Sequence, residues 1–138
     1  MRTLVTGGSG LVGQHLKDVI GGNHISKNKD YNTDVVYVSS KDYDLKDINQ
    51  VREMIKFTEP DIVIHLAARV GGIMDNMKYP VDYLEENILM NTNVLKVCHE
   101  FEVDRVIAIL STCIYPDVVE TYPMKEEDLF NGPPTETN

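Results

Sequence analysis

Basic residues are scarce in this chain. Thirteen lysines and arginines stand against 22 aspartates and glutamates, for a formal charge of −9. A surface that grips nucleic-acid backbones or an anionic membrane needs clustered positive charge, so neither partner is expected. Cysteine is scarcer still. Cys98 and Cys113 alone cannot build a disulfide framework, and nothing points to an oxidising compartment. No apolar run approaches the length of about 18 residues that suggests a membrane span. No charged n-region followed by an apolar h-region opens the chain. Repeats and low-complexity tracts are absent, and no histidine has a second ligand at metal spacing. The expectation is a soluble cytoplasmic protein without membrane contact or metal.

What is present fits a folded domain. The 138 residues are 42% hydrophobic and 25% charged, an ordinary globular mix. A chain of this size buries roughly two-thirds of its unfolded surface, enough for a core without staples. Charge is unevenly spread. Residues 1–116 hold 16 acids and 12 bases; residues 117–138 hold six acids and one base, and four of the six prolines lie at or after Pro116. The reading is a domain over 1–116 followed by an acidic, Pro-rich segment over 117–138.

Periodicity supplies the elements. Residues 2–6 predict a short strand ending at a glycine cluster, and apolar positions 11, 12, 16, 19 and 20 predict a helix over 11–20. Residues 21–33 predict a loop, and β-branched and aromatic residues over 34–39 a second strand. Ile48, Val51, Met54 and Ile55 predict a helix capped by Asp47. The apolar run 61–67 predicts a strand buried on both faces, with His65 a core histidine. Residues 69–80 read as irregular. Residues 81–101 predict a long helix with two apolar stripes, one of Val81, Leu84, Ile88, Leu95 and Cys98, the other of Met90, Val94, Val97 and Phe101. They form either one wide core face or a core face plus a partner's seat. Residues 105–111 predict another buried strand. Strands alternating with helices indicate an α/β doubly wound parallel sheet, with expected strand order 3-2-1-4.

The segment Gly7-Gly8-Ser9-Gly10-Leu11-Val12-Gly13 joins the first strand to the first helix and satisfies Gly-x-Gly-x-x-Gly. In such a turn one glycine tightens the bend, one lets a pyrophosphate approach the backbone, and one lets helix pack on strand. The helix N-terminus then offers free N–H groups to phosphate. The spacing alone is weak; its place between strand and helix makes it a dinucleotide site rather than a bare turn. No acid stands at the carboxyl end of the second strand to hold a ribose 2′-hydroxyl. Ser39, Ser40 and Lys41 stand there instead, two hydroxyls and a cation suited to a 2′-phosphate, so NADP is expected over NAD. Asp42 and Asp44 soften that argument, and Asp44 beside Leu45 could accept from an adenine amino group.

The same residues resemble a known family. Thr-Gly-Gly-Ser-Gly-Leu-Val-Gly (6–13), Val-Ser-Ser-Lys-Asp-Tyr-Asp-Leu (38–45) and His-Leu-Ala-Ala-Arg-Val-Gly-Gly (65–72) look like an extended short-chain dehydrogenase/reductase. Asn-Met-Lys-Tyr-Pro (76–80), Leu-Ser-Thr-Cys-Ile-Tyr-Pro-Asp (110–117) and Asn-Gly-Pro-Pro (131–134) resemble more closely its GDP-L-fucose synthase branch. The resemblance implies a Rossmann-type fold. It also implies an NADP-dependent epimerase and reductase acting on GDP-4-keto-6-deoxy-D-mannose, and a homodimer through the 81–101 helix. By it, Leu66, Ala67, Ala68 and Val70 border the cofactor, Ser111 hydrogen-bonds the keto oxygen and Cys113 moves a proton in epimerisation. The family's Tyr-x-x-x-Lys pair has one match in spacing, Tyr37 and Lys41. That match straddles a strand end, where four residues span about 13 Å, and is a decoy. The chain therefore looks like the N-terminal part of a longer enzyme and is expected to be inactive alone. Two other readings stay open: a non-catalytic NADP-sensing module, and another nucleotide-sugar epimerase or dehydratase.

Overall fold

The computed structural model describes residues 1–24, 34–119 and 122–134. Most of the expected loop over 21–33 therefore lies outside the described residues. Among the described residues five strands form one sheet, all in parallel pairs: β1 (Thr3–Thr6), β2 (Asn23–His24), β3 (Val35–Val38), β4 (Ile62–His65) and β5 (Arg105–Ala108). β1 is central. Thr3 registers with Val35 on one side and Ile62 on the other, and Ile62 registers with Arg105.

The doubly wound α/β expectation holds, but its strand order does not. The observed order is β2-β3-β1-β4-β5. The four strands read from sequence thus run 2-1-3-4 rather than 3-2-1-4. The reason lies in the apolar run at 62–65. The expected order would leave it on an edge, half unpaired. The chain instead returns across β1, and β4 pairs on both sides.

Two helices cover one face. α2 (Ile48–Thr58) and α4 (Pro80–Glu100) send Val51, Met54, Ile55, Val94, Val97 and Cys98 against Leu4, Val36, Val38 and Val63, all buried. Asp47 caps α2 as expected, its carboxylate accepting from Asn49 N–H at 2.9 Å. The Arg52 guanidinium holds Glu100 through two hydrogen bonds of 2.9 and 3.0 Å and ties α2 to α4. Residues alternate sides along a strand, so buried Val5 and Tyr37 lie on the other face, the side on which Tyr37 meets the glycines flanking α1 (Leu11–Ile20). The Tyr37 hydroxyl donates to Gly21 O at the end of α1.

Three further expectations are corrected. Residues 69–80 contain a short helix, α3 (Ile73–Lys78). β5 ends at Ala108 and is not a buried strand: it lies at the sheet edge, Ile107 is exposed, and Ile109 and Leu110 are 60% and 70% exposed. Its pairing with β4 runs out where β4 gives way to loop, the last bond being Ile109 N–H to His65 O at 3.3 Å. The stripes of α4 also separate. Val94 and Val97 of the second stripe enter the core together with Cys98 of the first, while Val81, Leu84, Ile88 and Leu95 of the first and Phe101 of the second are exposed. One sheet face is too narrow for both.

After β5 the chain makes a 3-10 turn (Thr112–Ile114), buries Pro116, and makes a second 3-10 turn (Glu126–Phe130). Asp117 N–H donates to Pro133 O at 3.1 Å, and Gly132 lies on the Pro116 ring, so the acidic segment folds back on itself. No described helix is long and apolar enough to cross a membrane.

Candidate functional site

A crevice of about 590 Å³ opens at the carboxyl ends of β1, β3 and β4. Open α/β sheets bind ligands where the strand order reverses direction, because adjoining loops there diverge to opposite faces. Here that point is β1: the chain leaves it for β3 through α1 and returns past it to β4 through α2.

The glycine turn shapes the crevice floor. Gly7 has φ +72°, and a Cβ there would stand 2.8 Å from Ala67 N. A Cβ on Gly13 would stand 2.6 Å from Gly7 O. Gly7 therefore brings β1 against the β4 loop, and Gly13 brings α1 down onto the turn. At the helix N-cap, Gly10 supplies no side chain to occupy the first-turn N–H groups. The end of α1 is left as an anion cradle. Ser9, Leu11 and Val12 complete this lining. Gly8 does not line the crevice. Its N–H donates to Val38 O at 2.8 Å and it packs on the Tyr37 ring, so its smallness serves the strand-end packing.

On the β3 side the wall is Val38, Ser39, Ser40, Tyr43, Asp44, Leu45 and Lys46. Asp42 organises it. Its carboxylate accepts from both the Ser39 N–H and the Ser39 hydroxyl at 2.8 Å. The Ser39 hydroxyl is thus committed to a carboxylate, which leaves Ser40 as the expected hydroxyl not so engaged. Lys41 is exposed on this turn and does not line the crevice. Asp44 accepts from Lys46 N–H at 3.0 Å. Asn93 of α4 donates to Leu45 O and Lys46 O at 3.0 and 2.9 Å.

On the β4 side the wall is Leu66, Ala67, Ala68, Arg69 and Val70. Asn87 of α4 grips it as a strand neighbour would, accepting from Arg69 N–H at 2.8 Å and donating to Arg69 O at 3.0 Å. The Arg69 side chain pairs with Glu86 at 2.7 Å and stacks on the Tyr83 ring at 4.6 Å. Tyr83 in turn donates to Asp75. This ion pair is part-buried but still reached by solvent at both ends, and its contribution is modest. The part-buried backbone pairing is the firmer hold, since a buried peptide group that loses its partner costs roughly 1–3 kcal/mol.

Beneath both walls lies His65, buried as expected. Nε2 meets Asn91 Oδ1 at 3.0 Å and Nδ1 meets Thr6 Oγ1 at 2.7 Å. An amide oxygen only accepts, so Nε2 carries the proton and Nδ1 accepts from Thr6. Ala67 N–H then donates to the Thr6 hydroxyl at 3.4 Å. Burial pushes the His65 pKa below its ordinary value, against a smaller opposing effect of the Asn91 hydrogen bond.

Of the sixteen residues expected to hold a cofactor, the fold brings together all but Gly8 and Lys41. Ser111 and Cys113 stand apart from this crevice. They lie on the 3-10 turn past the end of β5, both exposed, with the Ser111 hydroxyl accepting from Cys113 N–H at 3.1 Å. The decoy pair reads as expected: Tyr37 is fully buried in β3 and Lys41 lies on the exposed turn. Val38, Tyr43, Lys46, Arg69, Glu86 and Met90 line the crevice without having been expected. Glu86 and Met90 stand four apart on α4, a spacing that puts them on one face, which was the only available signal. Among the described residues, no group of three His, Cys, Asp or Glu could hold a metal.

Two outcomes follow from these environments. With the folded pKa of His65 depressed, the unfolded chain binds the extra proton. Its contribution to stability is full above the ordinary histidine pKa and is lost as pH falls from there through the folded value. Thermal melts of the wild type should fall more steeply between pH 7 and pH 5 than those of His65→Gln; parallel slopes would refute this. The second outcome concerns thiols. Cys98 is buried and its thiol is pushed up to about 11, whereas Cys113 is exposed. A maleimide should label one site quickly in the native protein and none in Cys113→Ser; rapid labelling of Cys98 would contradict the fold.

Comparison with known proteins agrees with this layout. The model of the NAD dependent epimerase/dehydratase family matches residues 3–138. The GDP-L-fucose synthase of Dictyostelium discoideum is 47% identical over 136 residues, covering 98% of this chain and 40% of that protein. A protein of Drosophila melanogaster named as a probable GDP-L-fucose synthase is 40% identical, covering 99% and 41%. The crystal structure of a GDP-L-fucose synthetase from Naegleria fowleri bound to NADP is 40% identical with a TM-score of 0.76. It covers 96% of this chain and 40% of that one. The chain thus spans about 40% of the length of the relatives it matches. With the family model matching residues 3–138, the chain belongs to the NAD dependent epimerase/dehydratase family.

Proposed function

We propose that this chain is the NADP-binding part of a GDP-L-fucose synthase. The observation that carries this reading is the uncapped N-terminus of α1, opening into a crevice at the sheet's switch point. The space and the donors suit the group: backbone N–H groups for pyrophosphate, apolar Leu45, Leu66 and Ala67 for rings, and on the β3 side two acids that are already engaged, Asp42 by Ser39 and Asp44 by Lys46 N–H. The pyrophosphate lies at Gly7–Gly13. The adenosine half extends toward β3, with Ser40 and Lys41 meeting its 2′-phosphate and Asp44 its adenine. The nicotinamide half extends toward Leu66–Val70. The relative solved with NADP and the identity to GDP-L-fucose synthases support this assignment.

The substrate in this reading is GDP-4-keto-6-deoxy-D-mannose. The ketone acidifies the protons on both neighbouring carbons, so epimerisation needs a group that removes a proton and one that returns it. Cys113 is the proton carrier and the Ser111 hydroxyl holds the keto oxygen, where negative charge gathers. When bound, NADPH supplies the hydride for reduction at C4. The alkoxide then needs a proton donor, which Tyr37 cannot be, because it is buried in β3 with its hydroxyl on Gly21 O. The 138-residue chain therefore turns over no keto sugar by itself. Residues 1–116 are the nucleotide-binding domain, and 117–138 form an active-site loop segment. We place the protein in the cytoplasm.

Titration of the purified chain with NADPH and NADH tests this. NADPH should bind more tightly, and Lys41→Ala should weaken NADPH roughly tenfold while sparing NADH, as loss of one charge-assisted hydrogen bond would. The same preparation should consume no NADPH with the keto sugar. Tighter NADH binding overturns the cofactor assignment.

The exposed stripe Val81, Leu84, Ile88 and Leu95 suits a second copy of the chain, helix against helix. Sedimentation velocity should show a dimer that Leu84→Glu with Ile88→Glu dissociates. A wild-type chain that stays monomeric at tens of micromolar refutes this association.

A further inference from the structure

Three asparagines of α4 each hold a different part of the crevice from behind. Asn87 pairs with the backbone of Arg69 at both N–H and O, and also donates to Tyr83 O of its own helix at 2.8 Å. Asn91 accepts from His65, which reaches Thr6 and, through it, Ala67 N–H. Asn93 donates to Leu45 O and Lys46 O. None of the three lines the crevice, whereas Leu45, Lys46, Ala67 and Arg69 do. Apart from the strand-end bonds of Leu66 N–H to Thr6 O and Gly8 N–H to Val38 O, the walls are loops, and these amides hold backbone groups there that a strand neighbour would otherwise hold.

The two outer amides act on opposite walls. Asn93 serves the β3 side and Asn87 the β4 side. A dinucleotide whose pyrophosphate sits on the α1 N-terminus lays its adenosine half toward β3 and its other half toward β4. We infer that Asn93 and Asn87 are positioning residues that separately set the affinity for the adenosine half and the nicotinamide half of the dinucleotide. The inference rests on the NADP reading above and goes beyond it, because it assigns roles to side chains that touch no ligand.

The separation can be read with a half-ligand. Adenosine 2′,5′-bisphosphate carries the adenosine half alone, and NADPH carries both. Calorimetric titration of the 138-residue chain with each probe, in parallel with thermal melts, distinguishes the two walls. Asn93→Ala should weaken both probes by the same factor, roughly tenfold, as expected for loosening one wall by two hydrogen bonds. Asn87→Ala should weaken NADPH by about as much and leave the bisphosphate within about twofold. Asn93→Leu and Asn87→Leu roughly keep the side-chain size and remove the amide hydrogen bonds without adding charge; they answer the question where an alanine variant fails to melt cooperatively. Equal losses for both probes in both variants, or no loss in either, overturn the inference while leaving the NADP reading in place. A wild-type chain that binds neither probe overturns the NADP reading and the inference with it.

Discussion

The close approach of Gly7 to the Leu66–Ala67 backbone is the contact on which the site depends. Two strands that are neighbours in the sheet but far apart in sequence must let their carboxyl-end loops touch. A single Cβ would stop them, since it would meet three backbone atoms at 2.8–2.9 Å. The same turn lets Gly13 press α1 onto Gly7 and Gly8. Strand pairing, helix seating and the open N-terminus of α1 are therefore one geometric solution. The cradle is set at the moment β1 and β4 pair.

The remaining rigidity comes from α4. It contributes Val94, Val97 and Cys98 to the core and, from a neighbouring face, three amides to the loops. Packing fixes where the helix lies, and the amides transfer that position to the crevice walls. Charged contacts around Arg69 and Glu86 are more conspicuous, but they are only part-buried and still subject to screening by salt. Neutral amide-to-backbone bonds do not depend on ionic strength in that way. His65 couples the two systems, since it is packed among buried strands and also bonded to Asn91.

The glycine turn, Asp47 cap, buried His65 and the helices α1, α2 and α4 could be read directly from sequence, because each is a local pattern with a local cause. Strand order could not. It depends on which side of β1 the chain returns to, a non-local choice, although the uninterrupted apolar run at 62–65 already argued against an edge. The exposure of Ile107, Ile109 and Leu110 was hidden for a related reason: an apolar strand looks alike in sequence whether or not anything covers it. The Ser39 commitment to Asp42 was missed because hydroxyls at a strand end were read as donors to a ligand, when a carboxylate three residues on was the nearer acceptor. Asn87, Asn91 and Asn93 carry no signature by themselves. Their meaning comes from loops brought to α4 by the fold.

The edge at β5 has a colloidal consequence. Its apolar residues face water and, among the described residues, its outer side has no strand neighbour, the arrangement that invites copies to pair edge to edge. The net charge of −9 opposes that pairing at long range. The repulsion weakens as the screening length shrinks from about 10 Å at 0.1 M salt to about 3 Å at 1 M, while apolar attraction does not. Salt therefore favours edge-to-edge pairing at β5, a contact distinct from the helix-to-helix association through α4.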